Sequence, residues 1–265
     1  MNRTPVVFIH GAWLHALSWE AWAERFASRG YLAFAPGWPG ETATAQDVRA
    51  SPGLLGSLGL DALTDHYAAI IRSFDVPPVV VGHSVGGLIA QHLISINVGR
   101  AAVAISAAPI NDVALPAVPA HPCSCDSTVH LASLTPQQFH HVYANTVTTA
   151  ESDRLFERYA IPTPRRLLAE LGSTDPVRSP CAVADVANTG RGPLLLVSGQ
   201  EDRLVPDSVT REVYKEYGDS TAVTDLKQFA DRGHSLVIDS GWRLVADYVL
   251  GWLDEQGVRS LPAKS

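Results

Sequence analysis

Short runs of apolar residues alternate along the chain with stretches that carry apolar residues on one helical face only. Val6-Val7-Phe8-Ile9 has no polar member. That is the pattern of a strand covered on both faces, as in a parallel sheet. Ser18 stands where it would cap a helix over 19–28, with Trp22 and Phe26 on one face and Gly30 as the stop. A second strand is expected over 31–35, closed by Pro36-Gly37-Trp38-Pro39-Gly40. Residues 41–59 are rich in Gly, Ser, Thr and Ala and read as an irregular excursion. From 61 to 74, Leu63, His66, Tyr67, Ile70, Ile71 and Phe74 form a helical stripe, broken by Pro77-Pro78. A strand over Val79-Val80-Val81, an apolar helix through Leu88, Ile89, Ala90, Leu93 and Ile94, and a strand over 101–106 follow.

This alternation predicts an α/β fold, a mostly parallel central sheet with helices on both faces. The rhythm stops after about residue 108. From 109 to 192 no convincing buried strand appears. A Pro- and Ala-rich entry leads instead to three helices, at about 135–146, 151–160 and 164–171. The rhythm resumes with a strand over 193–197, a helix from a capping Asp207 to about 217, and a strand over 221–229. A last helix over about 241–256 carries Trp242, Val245, Val249 and Trp252 on one face. The expected organisation is a core built from 1–108 and 193–265. A helical cap, 109–192, is inserted between two sheet strands. It would lie over the carboxyl edge of the sheet, where ligands bind in open α/β folds.

Composition narrows the picture. A chain of 265 residues with 46% hydrophobic and 18% charged residues has material for one large core. A net charge of −7 and the lack of any Lys or Arg run argue against a nucleic-acid partner. The first apolar run is too short for a signal segment, and none reaches the roughly 18 residues of a membrane span. A cytoplasmic protein without a membrane span is expected. The three cysteines, Cys123, Cys125 and Cys181, are odd in number and fit no disulfide framework.

The candidate chemistry centres on Gly82-His83-Ser84-Val85-Gly86. Between a buried strand and an apolar helix, G-x-S-x-G reads as a tight turn that lifts Ser84 above the sheet as a nucleophile. The plain alternative is a Gly-rich turn with a surface hydroxyl. Asp202 and His234 also follow strand ends, so a parallel sheet brings all three to one edge. A serine hydroxyl needs a base to take its proton, and the base needs a partner to fix its tautomer.

Taken together, His10-Gly11, Gly82-His83-Ser84-Val85-Gly86-Gly87, Gly199-Gln200-Glu201-Asp202-Arg203-Leu204-Val205-Pro206 and Gly233-His234-Ser235 resemble the α/β-hydrolase superfamily over nearly the whole chain. The lidded branch of esterases, lactonases and cofactor-free haloperoxidases looks nearest. The resemblance implies Ser84 as nucleophile, His234 as general base and acid, and Asp202 as the residue that orients it. It implies an oxyanion hole of two backbone N–H groups, from Val85 and from Ala12 after His10-Gly11. No cofactor is implied.

Other residues compete for these roles. Glu201 adjoins Asp202, and Asp112 follows another strand, but at some distance. His10 is expected to brace the oxyanion loop, and His83 to be structural. His121, Cys123, Cys125 and His130 tempt a metal reading, but C-x-C beside proline fits zinc spacing poorly. No metal is expected. Trp13, Leu14 and Trp38, with Phe139, Tyr143, Phe156 and Tyr159 of the insertion, are candidate pocket residues, Trp13 foremost. The expected partner is a small-molecule substrate: a small to medium, mainly apolar carboxylic ester or lactone. The same triad also serves C–C bond hydrolysis, acyl transfer or perhydrolysis in this fold. A binding protein that kept the shell without catalysis is the third alternative. Asp at the nucleophile position would point to a dehalogenase or epoxide hydrolase; Ser84 stands there instead.

Overall fold

The structure is a computed structural model that describes residues 3–116, 130–172 and 179–258. Its strands in chain order are β1 (Pro5–Ile9), β2 (Leu32–Phe34), β3 (Val79–His83), β4 (Ala101–Ile105), the two-residue β5 (Leu131–Ala132) and β6 (Thr163–Pro164), then β7 (Leu194–Gly199) and β8 (Thr224–Phe229). Six of them form one parallel sheet in the order β2-β1-β3-β4-β7-β8. The helices are α1 (Glu20–Ser28), α2 (Ala45–Ala50), α3 (Leu60–Arg72), α4 (Val85–Ser95), α5 (Pro136–Gln138), α6 (Thr149–Tyr159), α7 (Arg165–Gly172), α8 (Asp207–Glu216) and α9 (Trp242–Glu255).

The uninterrupted apolar strands are explained by two cores, one on each face of the sheet. Val7, Ile9, Val80, Ala102, Ala104, Leu194 and Leu196 pack with α3, α4 and α8. Their neighbours Val6, Phe8, Val79, Val81, Val103, Leu195 and Val197 pack on the other face with α1 and α9. Strand side chains alternate between faces, so a strand covered on both sides has no polar position to spare. On the second face Phe8 stacks on Trp19 at 5.1 Å and meets the edge of Phe26 at 5.2 Å. On α9, Val245, Val249 and Trp252 are buried and Trp242 is half-buried. β8 is an edge strand and the more polar for it.

Three local expectations need correction. Ser18 does not cap α1. A 3-10 turn, Ala16–Trp19, comes first, capped by His15 Nδ1, which accepts the Leu17 N–H at 3.0 Å. Ser18 Oγ is buried with no partner among the described residues. The stretch 41–59 is not wholly irregular. It holds α2 and a 3-10 turn, Gly53–Ser57. Thr44 Oγ1 caps α2 by accepting the Asp47 N–H at 3.1 Å, and Ala45 and Val48 are buried beneath it. Asp207 is the first residue of α8 rather than its cap, which is Pro206. Its carboxylate accepts Ser198 Oγ at 2.5 Å and Gln228 Nε2 at 2.7 Å, which ties the helix to β7 and β8.

Between β4 and β7 no described residue joins the central sheet. The expected helix at 135–146 is present in two parts. Thr135 and Gln138 form a reciprocal capping box on α5, and a π-helical turn, Phe139–Tyr143, continues from it. A π turn of this kind often marks a functional site. Among the described residues, no helix is long and apolar enough to cross a membrane.

Candidate active site

A parallel sheet delivers every strand's carboxyl end to one edge. β1 runs into His10, β3 into Ser84, β7 towards Asp202 and β8 towards His234. Ser84 has φ 55° and ψ −117°, a backbone region that side chains rarely adopt. Four bonds hold it there. Its N–H donates to Ile105 O at 2.9 Å, and its carbonyl accepts the Gly87 and Ala108 N–H groups, both at 3.0 Å, and the Leu88 N–H at 3.2 Å. The glycines around it are required by close approach. A Cβ on Gly82 would lie 1.9 Å from Gly86 O, and one on Gly86 would lie 2.1 Å from Ile9 O.

Asp202 Oδ1 accepts the N–H groups of Leu204 and Val205 at 2.9 and 2.8 Å. Its Oδ2 faces His234 Nδ1 at 2.7 Å, and both side chains are fully buried. A carboxylate only accepts, so Nδ1 carries the hydrogen and the lone pair lies on Nε2. Nε2 has no partner among the described residues. Asp112 is exposed in a turn, and Glu201 meets Asn145 Nδ2 through its backbone carbonyl at 2.9 Å. Asp202 is therefore the carboxylate that the fold sets against His234.

His83 is buried, and its Nε2–H donates to the His234 carbonyl at 3.0 Å. The Tyr143 hydroxyl reaches its Nδ1 at 3.5 Å. Burial, and then the neighbouring His234, push the His83 imidazole well below its ordinary range. Burial first, and then the charge of Asp202, push the Tyr143 hydroxyl well above 10. Its ring meets His234 edge-on at 4.7 Å.

Gly11 presses the loop after β1 against Ser84. A Cβ there would lie 2.6 Å from Ser84 Cβ and 3.3 Å from its Oγ. The N–H of Ala12, and that of Val85 in the first turn of α4, engage no other described residue. First-turn N–H groups of a helix are unpaired within it and lie at its positive end. Behind the loop, Glu41 reaches His10 Nε2 at 3.0 Å and His15 Nε2 at 3.2 Å. The His10 contact is close but not aligned as a hydrogen bond. Glu41 also accepts the Ala16 and Trp38 N–H groups at 2.7 and 3.1 Å. Burial raises the Glu41 carboxyl, but the two histidines and the Ala16 N–H outweigh it and hold the group at about 2.

The candidate pocket residues divide. Tyr143 touches His234, and Trp13 continues the loop from Ala12. Phe139 stacks on Tyr143 at 4.8 Å, and Phe156 meets Phe139 at 5.6 Å, so they stand behind it. Trp38 stacks on His10 at 4.6 Å. Leu14 bridges to Ala160, and the Tyr159 hydroxyl donates to Glu20 at 3.0 Å. Among the described residues no group of three or more His, Cys, Asp or Glu is placed to hold a metal ion. His121, Cys123 and Cys125 lie outside the described residues.

Sequence reasoning missed Glu41, Asn145, Thr146 and Thr163. Asn145 donates to the Glu201 carbonyl at 2.9 Å, and Thr146 Oγ1 accepts the Gly233 N–H at 3.2 Å, so one short segment holds both the acid and the histidine loops. No motif marks the Asn145 and Thr146 contacts, because each partner lies tens of residues away.

A doubly covered parallel sheet with a serine at a tight strand-to-helix turn, and an Asp–His pair on the same edge, defines a hydrolase-type architecture. The chain belongs to the alpha/beta hydrolase family, whose profile it matches over residues 6–248. An extracellular alpha/beta-hydrolase from a Paenibacillus species, described as homologous in structure and function to tobacco salicylic acid binding protein 2, has a similar fold (TM-score 0.71, 17% identity, 94% of this chain and 98% of that chain). So do a Paleococcus ferrophilus monoacylglycerol lipase (0.70, 20%, 97% and 100%) and the Arabidopsis methylesterase MES16 (0.67, 16%, 95% and 99%). At these identities the likeness is one of fold. No curated protein matches the sequence significantly.

Proposed function

We propose that the protein is a serine hydrolase that cleaves a small to medium, mainly apolar carboxylic ester or lactone. The observation that carries the reading is the fully buried Asp202–His234 pair at 2.7 Å, which leaves Nε2 unengaged on the edge that bears Ser84. Nε2 takes the Ser84 proton as Oγ attacks the substrate carbonyl. The Ala12 and Val85 N–H groups receive the charge on the carbonyl oxygen, a stabilisation typically worth about 3 kcal/mol per donor. The imidazolium, held by Asp202, then protonates the leaving alkoxide. A water activated by the same nitrogen releases the acid from Ser84. Hydrogen bonds of this kind often tighten only when substrate is bound.

In this reading the segment between β4 and β7 caps the site, with Trp13 and Tyr143, whose ring meets His234 at 4.7 Å, as candidate pocket residues. The names of the fold relatives, a methylesterase and a monoacylglycerol lipase, agree with ester cleavage. Labelling with a fluorophosphonate, alongside an acyl-chain series of p-nitrophenyl esters and lactones, tests the proposal. The wild type should be labelled at Ser84 and active; Ser84→Ala should be unlabelled and lose activity by about 10⁴-fold or more. A wild type that acquires no adduct at Ser84 overturns the reading.

A further inference from the structure

We infer that Thr163 is a positioning residue for the oxyanion hole, acting through the backbone of Trp13. The inference rests on the proposed role of the Ala12 N–H. Trp13 has φ 61°, an uncommon conformation for a bulky side chain. All of its hydrogen-bonding groups are engaged by the segment inserted between β4 and β7. Its N–H donates to Thr163 Oγ1 at 2.6 Å, its carbonyl accepts the Ile161 N–H at 3.1 Å, and its Nε1–H donates to Ala132 O at 3.2 Å. Thr163 is fully buried on β6, and β6 pairs with β5, which presents that Ala132 carbonyl.

The geometry gives the contact its consequence. The Trp13 N–H belongs to the peptide that joins Ala12 to Trp13. The Ala12 N–H belongs to the preceding peptide, across one Cα. Gly11, pressed against Ser84, fixes one side of Ala12, and Thr163 fixes the other. The two restraints together set the direction of the Ala12 N–H. Without the hydroxyl, a part-buried N–H on a strained residue loses its acceptor, and the peptide has reason to rotate. Oxyanion donors act only when aimed at the place where charge develops. Thr163 need touch neither substrate nor Ser84.

The test is Thr163→Val, which keeps the shape and removes the acceptor, beside Thr163→Ser, which keeps the acceptor. Wild-type labelling and turnover are established first, so failure of the hydrolase reading is seen before any Thr163 variant is compared. The expected result is a fall in kcat of about tenfold or more for Thr163→Val, with KM within about twofold, and recovery of most of the rate in Thr163→Ser. Affinity for an aryl trifluoromethyl ketone, which forms a tetrahedral adduct on the serine, should fall with kcat/KM. Circular dichroism and thermal melts report folding, and Thr163→Ala replaces the Val variant if that chain fails to fold. Wild-type kcat in the folded Val or Ala variant overturns the inference. So does an effect confined to KM, or equal impairment in the Ser variant.

Discussion

Glu41 offers the most direct measurement of how the loop beside Ser84 is held. Its side chain is 2% exposed, between His10 and His15, and accepts the N–H of Ala16. Burial opposes its charge, yet the two rings and the N–H hold the carboxyl at about 2, against 4.5 when unperturbed. A carboxyl with a lower value folded than unfolded binds its proton more weakly in the folded state. It therefore adds stability above pH 4.5, and that stability drains away as pH falls towards 2. The difference between about 2 and 4.5 corresponds to about 3 kcal/mol. Glu41→Gln keeps the shape and stands in for the protonated acid. Urea unfolding of both proteins should give a gap of about 3 kcal/mol near pH ~5.5, shrinking to about half of that near pH ~3. Taking the difference removes groups that titrate alike in the two proteins. A gap that does not change with pH, or one near zero at the higher pH, would refute the view that the ionised carboxylate anchors this loop.

Two further outcomes follow from the geometry. Gly86→Ala places a methyl group 2.1 Å from Ile9 O, where backbone must move, so the chain should lose more than about 3 kcal/mol or fail to fold, as read from soluble yield and melting temperature. Asp202→Asn should stay folded while kcat falls by about 10⁴-fold, measured on whichever ester the wild type turns over. The reason is local: the Leu204 and Val205 N–H groups claim the Asn carbonyl oxygen, so its NH₂ faces His234 Nδ1 and forces the hydrogen to Nε2.

Much of the fold was legible because it is written in short stretches. The strands over Val6–Ile9 and Val79–Val81 are apolar throughout because both faces of the sheet are covered. The turn at Ser84 is marked by glycines that the backbone cannot replace. The helix α2 was missed because six residues with two buried positions make no stripe. Ser18 looked like a cap because a hydroxyl before an apolar helix usually is one, but a 3-10 turn places it one turn too deep. Asp207 misled for a different reason: tertiary partners on β7 and β8 claim its carboxylate. Thr163 gave no signal, since the residue that it holds is 150 positions away.

That contrast between near and distant causes runs through the site itself. Ser84 and Trp13 both have positive φ, a strain of about 1–3 kcal/mol each that persists only where surroundings over-determine it. For Ser84 the surroundings are the sheet and the start of α4: Ile105, Gly87 and Ala108 hold its peptide groups. For Trp13 they are the inserted segment: Ala132, Ile161 and Thr163. The same segment bonds the loop of Asp202 through Asn145 and the loop of His234 through Thr146. The sheet thus holds the residue proposed to attack, while the insertion bonds Trp13, which follows the proposed donor Ala12, and the loops of Asp202 and His234. Lengthening or replacing such an insertion should alter more than the shape of a pocket, because it carries the hydrogen bonds to Trp13 beside Ala12 and to the loops of Asp202 and His234.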